Sequence, residues 1–205
     1  MKKLIILALI AVFSYFAHLY FTNSNNDWNI VNANASGKTI VAFGDSLTAG
    51  YGVNDTDNYP AQLSRLIDQP VINMGISGET TSEAFARVDS VVAKDPKLVL
   101  ITLGGNDLKK KIPAQEAFAN LKKIVEILHE NGALVVILGI DIPYFSSDYA
   151  DDYIKFARDN GCLLVPNILD GVIGHRDLMV DSIHPNVKGY KIIANEIYQV
   201  IEKYL

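Results

Sequence analysis

Cysteine is nearly absent from this chain. One residue, Cys162, stands among 205, which excludes an intrachain disulfide framework and any zinc site built on clustered cysteines. It reads as a small buried hydrophobe. Positive charge is also scarce. Eighteen Lys and Arg stand against 23 Asp and Glu, for a net charge of -5 and a pI near 5.3. A nucleic-acid binder carries a basic footprint, so the balance argues against that class. No repeat and no low-complexity tract occurs. With 49% hydrophobic and 20% charged residues, the chain is too apolar to be disordered. Its length suits one domain with an appendage.

Several signatures of chemistry are missing as well. No G-x-G-x-x-G follows a strand pattern. His129-Glu130 is followed by Asn131-Gly132-Ala133, so the metalloprotease helix H-E-x-x-H is absent. Ser46 is followed by Leu47-Thr48, which breaks the G-x-S-x-G nucleophile elbow. Ser36-Gly37-Lys38-Thr39 ends like a phosphate loop. Asn32 stands where its first glycine belongs, and the segment precedes a strand instead of following one. A nucleotide binder, a zincin and an ordinary α/β-hydrolase all lose ground.

There is one long hydrophobic run. Leu4 to Phe21 contains no Asp, Glu, Lys or Arg and follows Lys2 and Lys3. It is an export or anchoring signal. The run ends in bulky Tyr20 and Phe21, and the nearest small-x-small triplet, Ala33-Asn34-Ala35, comes twelve residues after Phe21. Its length reaches the lower range for a spanning helix. The favoured reading is an uncleaved anchor over 1–22 with membrane contact through 4–21 and the lysines cytoplasmic. A cleaved signal peptide is the alternative. Residues 23–37, rich in Asn, Ser and Gly, read as a linker. The globular unit is then 38–205. Residues 1–35 carry a net +1 and the remainder -6.

Beyond the linker, apolar β-branched runs alternate with helical patterns. The strand-like runs are Thr39–Phe43, Val71–Met74, Leu98–Leu103, Ala133–Leu138 and Leu163–Val165. Such unbroken apolar runs fit parallel strands buried on both faces. Thr80-x-x-Glu83 is a capping box that predicts a helix from Thr81 to about Ala93. Pro113 and Gly132 bracket another. Pro185 opens the last, with Val187, Tyr190, Ile193, Ala194, Ile197, Val200 and Ile201 in one stripe. The alternation predicts a three-layer α/β domain on a parallel sheet of about five strands. In such sheets, ligands bind beyond the carboxyl ends of the strands. Three of the loops there pair glycine with small polar residues: Gly44–Leu47, Gly75–Gly78 and Gly104–Asp107.

A serine hydroxyl is a weak nucleophile at neutral pH and needs an adjacent base. Ser46 directly follows the first strand. Asp181-Ser-Ile-His184 directly precedes the last helix. Imidazole is the natural base, and a carboxylate on its other nitrogen fixes its tautomer. Acyl transfer also needs donors aimed at the developing oxyanion. The Ser46 N–H, the Gly78 N–H and the Asn106 amide are the candidates.

Four blocks now stand in order: Phe43-Gly-Asp-Ser-Leu-Thr-Ala-Gly50, Asn73-Met-Gly-Ile-Ser-Gly-Glu-Thr80, Gly104-Gly-Asn-Asp107 and Asp181-Ser-Ile-His-Pro185. Together they resemble the SGNH/GDSL hydrolase superfamily over about residues 38–200. The likeness is strongest to its bacterial periplasmic branch of thioesterase, arylesterase and lysophospholipase enzymes. The resemblance implies a flavodoxin-like three-layer fold, no metal and no cofactor. It implies a Ser46–His184–Asp181 triad with a covalent acyl-enzyme, and an oxyanion hole of Ser46, Gly78 and Asn106. Ile142–Tyr149 follows the fourth strand and would border the same cleft, where Tyr144, Phe145 and Tyr149 either hold an acyl or aryl group, with Tyr144 and Phe145 the candidate substrate contacts, or simply pack the loop; the resemblance makes this the segment that shapes the acyl pocket.

Competing roles are open for some residues. His175 is the rival base, but Val172 stands where an acidic partner belongs. His129 suits a helix C-terminus. Asp45 and Asp107 brace their loops. Lys109-Lys110-Lys111 is a solvated charge run or a greeting for anionic groups. The expected substrate is a small-molecule or lipid ester or thioester, met in a periplasmic or other extracytoplasmic compartment. Two alternatives stand beside it: a carbohydrate O-deacetylase of envelope glycans, and a catalytically silent, tethered binding module. The oligomeric state is open.

Overall fold

The computed structural model describes residues 26–142 and 149–205. The anchor-like run, with its predicted N-terminal helix, lies outside them. Five parallel strands form one sheet: β1 Thr39–Gly44, β2 Val71–Gly75, β3 Pro96–Thr102, β4 Leu134–Leu138 and β5 Leu163–Val165. Their order is β2-β1-β3-β4-β5. The chain therefore winds outward in one direction from β1 to β2, returns to β3, and continues outward to β5. That reversal beside β1 creates the switch point at which α/β sheets bind ligands. The register pairs Gly44 with Gly75 on one side and with Thr102 on the other. Three strand ends thus lie level beneath the future site.

The three central strands are buried nearly along their whole length, as their uninterrupted apolar sequences require. Eight α-helices are described: α1 Ser46–Ala49, α2 Tyr59–Ile67, α3 Thr81–Phe85, α4 Val88–Val92, α5 Gly105–Lys109, α6 Ala114–Glu130, α7 Tyr149–Asp159 and α8 Val187–Ile201. Helix α2 packs on α8, and α3 and α4 pack on α6. Apolar faces at 3.6 spacing drive this. In α8 the buried residues are Gly189, Tyr190, Ile193, Ala194, Ile197 and Ile201. Val187, the first member of the predicted stripe, is exposed.

The structure differs from the sequence expectations in several places. The single helix expected over Thr81–Ala93 is broken at Arg87, whose backbone leaves the helical region (φ -124, ψ 12). Its guanidinium turns back to Glu79 and to the Met74 carbonyl. Helix α8 starts one residue after Asn186, which takes the Lys188 and Gly189 N–H groups as the cap; Pro185 stands before the cap. Helices α2 and α7 are additional to those expected, and the loops after β1 and β3 each carry a short helix, α1 and α5. Asn58 caps α2 by accepting from the Ala61 N–H.

The segment expected to be a plain linker is docked from Asn26 onward. Asn26 accepts from the Leu164 N–H on the edge of β5, Trp28 donates its indole N–H to the Cys162 carbonyl, and Val31 donates to the Gly161 carbonyl. Asn32 then spans the His129 and Ala133 carbonyls with one amide nitrogen. Residues 26–37 therefore run down the outer edge of the sheet and beneath its amino end to β1. Among the described residues, no helix is long and apolar enough to cross a membrane.

Candidate active site

The turn that follows β1 carries the first predicted residue. Asp45 closes the strand by donating its N–H to the Thr102 carbonyl, and its side chain caps α1 through the Leu47 N–H at 3.0 Å. Ser46 is the first residue of α1 and is half-buried. Its Oγ lies 2.9 Å from His184 Nε2.

His184 reaches Ser46 from a loop that bonds to itself. Val180 donates to the His184 carbonyl and Asn186 to the Leu178 carbonyl, closing the loop around Asp181. Asp181 Oδ1 accepts from the Ile183 and His184 N–H groups, each at 2.8 Å. Its Oδ2 meets His184 Nδ1 at 2.8 Å. Burial pushes the Asp181 carboxyl up. The two backbone donors and the imidazole outweigh burial and hold it below the ordinary aspartate value. The carboxylate is thus ionised at neutral pH and fixes which imidazole nitrogen carries the proton: Nδ1–H faces Asp181, and Nε2 is free to accept from the serine. His175 is exposed and makes no such contact among the described residues.

The three oxyanion candidates are placed unequally. Asn106, in α5, and Ser46 both line one open cleft with Asp45, Leu47, Gly105, Lys109, Ile140, Ile142, Ile183 and His184. Gly78 is not among the cleft's lining residues. It sits in the exposed loop after β2, next to Glu79, whose carbonyl accepts from the Asn106 amide at 3.0 Å. Neither the Ser46 nor the Gly78 N–H has an acceptor among the described residues. The second Asn106 contact is to Asp45 Oδ2 at 3.2 Å.

Buried acid groups brace this end of the sheet, as expected for Asp45 and Asp107. Asp107 takes the Thr81 N–H at 2.9 Å and its hydroxyl at 2.6 Å, tying α5 to α3. Asp45 is 3% exposed. Burial raises its carboxyl to about 7, Glu79 and Asp107 add to the rise, and the Leu47 N–H opposes it. One support escaped the sequence reading. Glu79, 5% exposed, pairs with Arg87 through two contacts of 2.5 Å, and the guanidinium lies 4.3 Å over the Phe43 ring. Two residues eight apart, one in the loop after β2 and one in the turn between α3 and α4, give no sequence signal for this pairing. The capping box was legible, and both of its bonds are present.

Tyr144 and Phe145, the candidate substrate contacts, lie outside the described residues. Tyr149 is not a cleft residue: it is buried in α7 and donates to the Gly104 carbonyl at 3.2 Å. It packs against Phe118 and Tyr153, so its ring belongs to the core beneath the third loop. Of the lysine run, Lys109 lines the cleft, while Lys110 reaches toward Glu83.

A parallel α/β sheet with Ser, His and Asp hydrogen-bonded in series above its switch point is the layout of a serine hydrolase. Residues 42–192 match the GDSL-like Lipase/Acylhydrolase family, and the chain belongs to that family. It is similar to an arylesterase of Vibrio mimicus, with 32% identity over 185 residues that cover 84% of this chain and 92% of the relative. It is also similar to the thioesterase 1/protease 1/lysophospholipase L1 of Escherichia coli (strain K12), with 28% identity covering 78% and 82%. The crystal structure of the psychrotrophic esterase EstA from Pseudoalteromonas sp., inhibited by monoethylphosphonate, superposes with a TM-score of 0.74 at 30% identity. It covers 81% of this chain and 97% of EstA. The three-layer fold expected from the sequence is the fold of this family, and the protein is an ester-hydrolysing enzyme.

Proposed function

We propose that the protein hydrolyses carboxylic esters and thioesters by a Ser46–His184–Asp181 triad. The observation that carries this is the series of contacts from Ser46 Oγ to His184 Nε2 and from His184 Nδ1 to Asp181. His184 takes the serine proton as Ser46 Oγ adds to the acyl carbonyl. Asp181 holds the imidazole and supports the imidazolium that forms. The carbonyl oxygen, now an anion, is met by the Ser46 N–H, with the Gly78 N–H as a further donor and the Asn106 amide joining them as it gives up its longer, 3.2 Å contact with Asp45. The C–O or C–S bond breaks, His184 returns the proton to the leaving group, and an acyl-Ser46 ester remains. Water attacks that ester, giving its proton to His184, and the acid leaves as Ser46 regains its proton.

Leu47, Ile140, Ile142 and Ile183 in the cleft favour an apolar acyl or aryl group. The names of the Vibrio and Escherichia relatives favour aryl esters, thioesters and lysophospholipids as the first substrates to try. We place the enzyme outside the cytoplasm, held to the inner membrane by residues 4–21; the unbroken apolar run after Lys2 and Lys3 supports this.

The test is hydrolysis of p-nitrophenyl acetate, butyrate, octanoate and palmitate, with palmitoyl-CoA as the thioester. The parent, Ser46→Ala and His184→Ala are compared. Loss in both variants supports the triad. Activity that survives Ser46→Ala overturns it.

A further inference from the structure

The base-bearing loop raises a mechanical question. Among the described residues, all three donors to Asp181 come from its own loop, at Ile183 and His184. Those bonds shape the loop but do not fix it against Ser46. Something on the nucleophile's side has to do so, because a misplacement of about 1 Å is enough to lower a rate a hundredfold.

Tyr51 stands at that position. Its ring centroid lies 4.5 Å from that of His184, with the planes tilted by 41°. The backbone holds it there. Gly50 ends α1 in the left-handed region (φ 88, ψ 42), and the Gly50 and Tyr51 N–H groups both donate to the carbonyl of Ser46 itself, each at 3.0 Å. A Cβ on Gly50 would fall 2.4 Å from Asn58 Cβ, so this turn needs glycine. Immediately after the ring, Gly52 meets Val180 of the base loop, where an added Cβ would come within 2.9 Å of Cγ1. Val180 is the residue whose N–H closes that loop on the His184 carbonyl. The turn after Ser46 thus touches the base loop twice, once through backbone packing and once through an aromatic ring. Tyr51 is 51% exposed, so its contact with His184 is made from the surface of the turn.

Taking the triad as the site, we propose that Tyr51 is a positioning residue: its ring seats the His184 imidazole against Ser46 and stabilises it as the serine proton arrives. The negative face of an aromatic ring attracts a cation held against it. The ring's benefit therefore grows as imidazole becomes imidazolium, which is the change that accompanies serine attack. A contact that strengthens on the way to the transition state raises kcat, whereas one that is uniform lowers KM.

The experiment compares the full-length parent with Tyr51→Phe and Tyr51→Leu. Steady-state hydrolysis of p-nitrophenyl butyrate gives kcat and KM. The rate of Ser46 labelling by a small fluorophosphonate reads nucleophile activation without an acyl group. Tyr51→Leu is expected to lower kcat and the labelling rate together, by about three- to tenfold, with KM within about twofold. Tyr51→Phe keeps the ring and stays within about twofold of the parent on all three. The position is exposed, so both variants retain the parent's melting temperature. Unchanged kcat and labelling in Tyr51→Leu overturn the assignment. So does a rise in KM alone, which would make the ring a substrate contact, or an equal loss in Tyr51→Phe, which would move the effect to the hydroxyl. A parent that is not labelled at Ser46 would sink the triad reading itself. A labelled parent matched by Tyr51→Leu sinks only the role of Tyr51.

Discussion

The two ends of the sheet are held together by different means. At the carboxyl end, the loops after β1, β2 and β3 are braced by buried acids: Asp45 on Asn106, Asp107 on Thr81 and Glu79 on Arg87. At the amino end and the outer edge, residues 26–37 form a strap of side-chain amide and indole bonds to backbone carbonyls. Buried carboxylates are expensive in an apolar interior, and here they accompany Ser46, Asn106 and His184. The strap contains no group of the site. One end is thus built for chemistry and accepts polar burial, and the other is built for stability alone.

Ser46→Ala breaks this comparison most severely at the carboxyl end. We expect kcat to fall by about 10⁴-fold or more, with the melting temperature unchanged, as read by p-nitrophenyl ester hydrolysis and calorimetry. Asn106→Ala removes one oxyanion donor and is expected to lower kcat by about 10²–10³-fold, with little change in KM. If KM rises instead, Asn106 binds the ground state and is no oxyanion donor.

Asp45 sharpens the contrast through pH. Burial raises its carboxyl to about 7, and Glu196 is raised to about 7 by burial and by Asp170. Both values lie above those of the unfolded chain, about 4. The native state therefore binds more protons than the unfolded state between about pH 4 and 7. Through these groups, stability is fully present below that window and is lost as pH rises across it. For Asp45 the loss is roughly 4 kcal/mol at most. Urea midpoints of the parent and Asp45→Asn, measured from pH 4 to 8, should diverge in slope, with the variant flatter. Parallel curves would show that Asp45 keeps its charge in the fold.

At the amino end the signs reverse. Trp28→Ala removes a half-buried indole and its bond to the Cys162 carbonyl, and should lower stability by about 2 kcal/mol while kcat stays within about twofold. Asn32 sits at φ 55, where asparagine is tolerated better than alanine. Asn32→Ala is expected to lower stability by about 1–2 kcal/mol, again without a change in kcat. A strap variant that loses activity while keeping its stability would erase the distinction between the two ends.

How much of this was legible in the sequence follows from distance along the chain. The five strands declared themselves because buried parallel strands are continuous apolar runs. Asp181 and His184 were legible because three residues in one short loop place base and carboxylate together, and Thr80 with Glu83 because a capping box is local. The strap was misjudged because Asn, Ser and Gly look alike in a linker and in a segment whose amides hold distant carbonyls; Asn32 reaches His129 and Ala133. The break at Arg87 was hidden because Glu79 competes with the helix for that side chain. Tyr149 follows β4 in sequence, which points it toward the cleft, whereas its hydroxyl finds Gly104 in the core. The contact of Tyr51 with His184 spans most of the domain and leaves no periodic trace.

The most direct test of the account is the site of covalent trapping. The intact protein is treated with a fluorophosphonate, digested and mapped by mass spectrometry, with His184→Ala treated in parallel. The account predicts one adduct, on Ser46, formed rapidly in the parent and slowed by at least about 10³-fold in His184→Ala. An adduct on another residue, or equal labelling of Ser46 without His184, would contradict it.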